Sequence, residues 1–120
     1  MIVLHTHPKF HTISETQRRQ IMNGAGARGQ WYSALIPDSL FGLDCMPAWN
    51  RHDYAYFAGM TEEDRENADI DMLKNLLILI NAARASQFGR LLAPFRRLSA
   101  MLYYERVYRQ GKAAFWADKL

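Results

Sequence analysis

Apolar residues recur every three to four positions through the second half of the chain. Ala68, Met72, Leu73, Leu76, Leu77 and Ile80 form one stripe, and Phe95, Leu98, Met101, Leu102 and Tyr108 continue a helical pattern toward the C-terminus. That period marks helices with an apolar face. Thr61, followed by Glu62, Glu63 and Asp64, offers an N-cap and acids in a first turn, where the helix dipole favours negative charge. A long helix is expected from there to about residues 86–89. Pro47 suits a helical first turn, and residues 48–58 follow without a breaker until Gly59 supplies a stop, which predicts another long helix. Pro94 marks a further helix start or kink. No segment alternates well enough for a buried strand.

The first half is less regular. Residues 1–13 read as an irregular arm. Ser14, with Gln17 three positions on, has the spacing of a capping box and predicts a short helix to about Met22. Three glycines within residues 23–29 end it, because glycine permits backbone angles and close approaches that other residues resist. Residues 30–46 are aromatic and apolar but broken by Pro37, Asp38 and Gly42, so a structured connecting loop is expected. The fold class is therefore mostly α: two antiparallel core helices, a glycine-rich loop and a basic C-terminal helix over residues 90–120.

Composition narrows the picture. A chain of 120 residues with 49% hydrophobic and 22% charged residues is expected to be one globular domain, residues 1–120. The single cysteine, Cys45, precludes an internal disulfide framework and suits a reducing compartment. The N-terminus lacks a signal-peptide apolar region, and the longest apolar run, residues 76–80, is too short to cross a membrane, so the expectation is a cytoplasmic protein at synthesis. Charge is uneven: residues 84–120 carry 8 Lys and Arg against 2 Asp and Glu, a net +6 within an overall +3. Such a segment suits anionic lipid or nucleic acid, or is simply a solvated helix face that needs no partner.

The chemistry concentrates in residues 50–56. His52 and Tyr56 are four apart and share a helical face, while Asp53 points about a quarter-turn away. Asp69 interrupts the apolar stripe of the next helix. A buried carboxylate needs a partner, and His52 and Tyr56 can supply it. This predicts a His–Asp dyad in which the carboxylate fixes the imidazole tautomer and stabilises the imidazolium formed on proton uptake. Asp71, on a more polar face with Lys74, Asn75 and Ile78, is the competing partner. Asp53 is placed to join carbonyls of the glycine loop around a hard cation, for which calcium and its oxygen ligands are suited.

Asn23-Gly24-Ala25-Gly26, then Ile36-Pro37-Asp38, then His52-Asp53-Tyr54-Ala55-Tyr56, then Ala68-Asp69, in that order, resemble the phospholipase A2 superfamily over residues 20–80. The absence of the cysteines common in secreted members makes this chain similar to disulfide-poor prokaryotic and viral ones. The resemblance implies a calcium-dependent acylhydrolase. His52 would be the general base for water attacking a fatty-acyl ester, Asp69 would orient it, and Tyr56 would hydrogen-bond Asp69. Asp53 would bind Ca2+ with the carbonyls of Met22, Gly24 and Gly26, Asn23 being the alternative to Met22. The implied substrate is phospholipid at a membrane surface. Trp49 stands where secreted relatives carry a helix-linking cysteine, and its packing is expected to substitute.

Other features have plainer readings. His5, His7 and His11 read as an incidental histidine group. Cys45 reads as a semi-buried apolar residue. Trp31, Tyr32 and Phe41 fit either a lipid-access channel or packing. Arg96, Arg97, Arg106, Arg109 and Lys112, interleaved with Tyr103, Tyr104, Phe115 and Trp116, resemble an interfacial helix. Nucleic acid is not the expected partner, and the oligomeric state is not encoded in any motif. The reading from a different class is a weakly active or inactive fold of the same kind, serving as a membrane- or partner-binding module.

Overall fold

A computed structural model describes residues 2–17, 39–117 and 119. The described chain is mostly helical. A short antiparallel hairpin of β1 (Ser39–Leu40) and β2 (Leu43–Asp44) precedes three helices: α1 (Met46–Ala58), α2 (Glu62–Ala83) and α3 (Gln87–Trp116). Between the strands, Phe41 and Gly42 have φ of 50° and 84°, the positive angles that a tight two-residue hairpin turn requires. Phe41 is held there from outside. The Arg96 side chain of α3 donates to the Leu40 carbonyl at 2.9 Å and to the Phe41 carbonyl at 2.7 Å.

Local sequence explains the helix boundaries. Pro47 lies in the first turn of α1, and Gly59 ends it in extended backbone. Thr61 Oγ1 accepts from the Asp64 N–H at 3.0 Å while the Asp64 carboxylate accepts from the Thr61 N–H at 3.1 Å, a complete capping box. The same reciprocal pairing joins Ser14 and Gln17. Two boundaries differ from expectation. α2 stops at Ala83, and α3 starts at Gln87 with Ser86 as its cap, seven residues before Pro94. Pro94 lies inside α3, where it removes one backbone donor without ending the helix.

α2 packs against both other helices. It runs antiparallel to α1: Gly59 approaches Asp64 near the connection, and His52 meets Asp69 farther back. The main core gathers Trp49 of α1, Met72, Leu76 and Ile80 of α2, and Ala93, Ala100 and Val107 of α3. Small residues on α3 let it lie close to α2. Its bulkier periodic residues, Phe95, Leu98, Met101, Leu102 and Tyr108, instead face outward, each more than two-fifths exposed. Trp49 is buried in that core. Among the described residues, no helix is long and apolar enough to cross a membrane.

The N-terminal arm is docked rather than free. Asn75 of α2 is buried and works as a surrogate strand, its Oδ1 accepting from the His5 N–H at 2.6 Å and its Nδ2 donating to the His5 carbonyl at 2.9 Å. Arg51 of α1 adds a 2.8 Å bond from Nε to Thr6 Oγ1. Phe10 then packs on Tyr54 edge-on.

Candidate active site

α1 brings His52 and Tyr56 to one face, their ring centroids 4.2 Å apart. α2 brings Asp69 against that face. His52 Nε2 lies 2.8 Å from Asp69 Oδ1, and the Tyr56 hydroxyl donates to the same oxygen at 2.7 Å. The His52 and Asp69 side chains are 0% exposed, so both interactions act in a medium far less polarisable than water. Burial, reinforced by the charge of Asp69, pushes the Tyr56 phenol well above its ordinary range. Tyr56 therefore stays a neutral donor.

The second carboxylate oxygen is taken by a residue that the sequence reading missed. Arg65 Nη1 donates to Asp69 Oδ2 at 3.2 Å and also to the Tyr108 carbonyl of α3 at 3.2 Å. Burial works against the Arg65 charge, yet Glu62, whose Oε1 accepts from Arg65 Nε at 2.7 Å, leaves its pKa raised. Glu62 Oε2 in turn accepts from the Trp116 indole at 3.1 Å. The chain of bonds thus runs from His52 through Asp69, Arg65 and Glu62 to the end of α3. The available signal was spacing: Arg65 stands three after Glu62 and four before Asp69, the intervals at which helical side chains meet. Gly111 was also missed. It leaves room for the Tyr56 hydroxyl, which a Cβ at that position would overlap.

Asp71 does not partner His52. It lines a small polar cavity beside it, bounded also by Asn75, His5, His7 and Arg51, with room for about one water molecule. Two histidines of the arm read as incidental, His5 and His7, therefore border the site. Asp53 lies on α1 at 6% exposure. Met22, Gly24 and Gly26, with the rest of the glycine loop, and Trp31, Tyr32 and residues 36–38 lie outside the described residues. Among the described residues, no three His, Cys, Asp or Glu side chains converge as metal ligands.

The interfacial reading of α3 needs revision in two places. Arg96 is buried and spends its charge on the hairpin carbonyls, and Phe115 is 0% exposed against Tyr56, with ring centroids 5.3 Å apart. Neither faces outward. Arg97, Arg106, Arg109 and Lys112 remain exposed. Cys45 is fully buried, and burial raises its thiol to about 11, which leaves it protonated and a poor nucleophile. No family model matches the chain, and no curated protein or solved structure matches it either.

Proposed function

We propose that the protein is a calcium-dependent acylhydrolase of the phospholipase A2 type, acting on phospholipid at a membrane surface. One observation carries this reading: His52, Asp69 and Tyr56 form a buried hydrogen-bonded group across two antiparallel helices, with Asp69 Oδ1 at 2.8 Å from the imidazole. Because Asp69 engages Nε2, that nitrogen carries the proton and Nδ1 is the basic one. A water molecule attacking the acyl carbonyl passes its proton to Nδ1. Asp69 stabilises the resulting imidazolium, which returns the proton to the departing lysophospholipid oxygen, so the proton balance closes without a covalent acyl-enzyme.

Tyr56 and Arg65 hold the Asp69 carboxylate in place, so the imidazole is oriented before substrate arrives. Asp53 suits the cation by its chemistry, a carboxylate held on a rigid helix, with the carbonyls of Met22, Gly24 and Gly26 completing the expected ligand set. When bound, calcium would supply positive charge for the developing oxyanion and for the substrate phosphate.

The alternative, a binding module in which the same network only holds helices together, draws on the complete burial of the His52 and Asp69 side chains. Fatty-acid release from mixed phospholipid vesicles, measured with calcium and with chelator, separates the two. The expected result is calcium-dependent release that falls by a factor of about 10² or more in His52→Ala. Unchanged release in that variant, or none from folded protein in millimolar calcium, would refute the hydrolase.

A further inference from the structure

The outward face of α3 carries a seam that nothing in the described chain covers. Phe88, Leu91, Phe95, Leu98 and Leu102 are 66, 67, 57, 61 and 48% exposed. Their spacing is three, four, three and four residues, the interval of a coiled-coil seam. At 100° per residue they fall within an arc of about 80°, directly opposite Ala93, Ala100 and Val107, which pack on α2, and the seam runs for about 21 Å. α3 therefore has one apolar face satisfied within the chain and a second facing away.

We propose that this seam is where a second copy of the chain docks, pairing α3 with α3. The positions that flank this seam on α3 are uncharged: Gln87, Pro94 and Met101 on one side, Leu92 and Ser99 on the other. Two identical seams can meet without bringing like charges together, and an isologous contact needs such self-complementarity. The seam ends where charge begins, at the exposed Glu105–Arg109 ion pair one turn beyond Leu102.

Area supports the same occupant. The five side chains and the neighbouring Met101, which is 59% exposed, present on the order of 600 Å² per copy. Two copies would bury up to about 1,200 Å² together, at the lower end of the range of specific interfaces. The seam lies on the face of α3 opposite the one packed on α2, which carries Asp69, so docking adds no cover to the candidate active site.

Sedimentation equilibrium of the full chain tests this, comparing the protein with Leu91→Glu/Leu98→Glu. The expected result is a mass twice 13.9 kDa, reverting to 13.9 kDa in the variant with unchanged helical content. A chain still monomeric at about 100 μM overturns the proposal, that being weaker than a specific interface requires. So does a folded variant that still dimerises. A monomer that co-sediments with phosphatidylglycerol or phosphatidylcholine vesicles, and loses this in the variant, assigns the seam to lipid instead. Should the double variant lose its helical signal, Phe95→Gln replaces it, and dimerisation as tight as the parent's then refutes the pairing.

Discussion

Adding one methyl group at Gly111 probes the packing behind the His–Asp pair. The new Cβ would overlap the Tyr56 hydroxyl oxygen, with ring atoms Cζ and Cε2 at 3.2 and 3.4 Å. Tyr56 is 1% exposed and cannot swing into solvent, so Gly111→Ala forces the hydroxyl off Asp69 or pushes α3 outward. Overpacking costs about 1–3 kcal/mol, and a lost hydrogen bond to a carboxylate about 1.5–3. Alanine returns about 1 kcal/mol through its better helix propensity. The expected net destabilisation is about 2–4 kcal/mol. Tyr56→Phe deletes the overlapping atom and should cost about 1.5–3 kcal/mol alone. In that background Gly111→Ala still meets Cζ at 3.2 Å, a tight contact that a shift of a few tenths of an ångström relieves, so it should cost far less there than in the parent. Urea unfolding of the four proteins, followed by circular dichroism, measures the coupling. Effects that add to within about 0.5 kcal/mol would refute the reasoning.

Asp69→Ala leaves His52, Tyr56 and Arg65 buried around a missing acceptor, so it should cost about 3–5 kcal/mol in the same assay. Bonds from the Trp116 indole and Arg65 lower the Glu62 pKa, and the Met60 N–H, followed by Thr61, lowers that of Asp64. A depressed folded pKa stabilises above the ordinary values of 4.5 and 3.8 and loses that contribution as pH falls through the folded ones. Melting temperature should therefore drop on acidification, less steeply in Glu62→Gln; parallel profiles would contradict this. Cys45, fully buried with a thiol near 11, should resist an aromatic disulfide reagent near pH 8 until the chain is unfolded; rapid labelling of folded protein would overturn its placement.

The sequence carried the three long helices and the inner faces of α1 and α2 well, but not the buried face of α3. Caps at Thr61 and Gly59 act within one turn, so residue identity alone places those ends. His52 and Tyr56 share a face by helical arithmetic, and Asp69 stands out because a carboxylate amid Met72, Leu73 and Leu76 needs a partner. Ser86 was less legible as a boundary. It caps α3 immediately after α2, and an apolar period passing from one helix to the next does not reveal so short a connection.

Side-chain identity and local spacing thus determined which segments are helical and which polar residues required company. Which company they keep was decided by the tertiary structure. Arg96 reaches a hairpin 55 and 56 residues away, and Asn75 an arm 70 residues away. The outward turn of Phe95, Leu98 and Leu102 likewise follows from close packing. Ala93, Ala100 and Gly111 let α3 approach its neighbours as larger side chains would not, and the bulky face is left to the outside. Periodicity reports that a helix has an apolar face; the volume available between helices decides which face is buried.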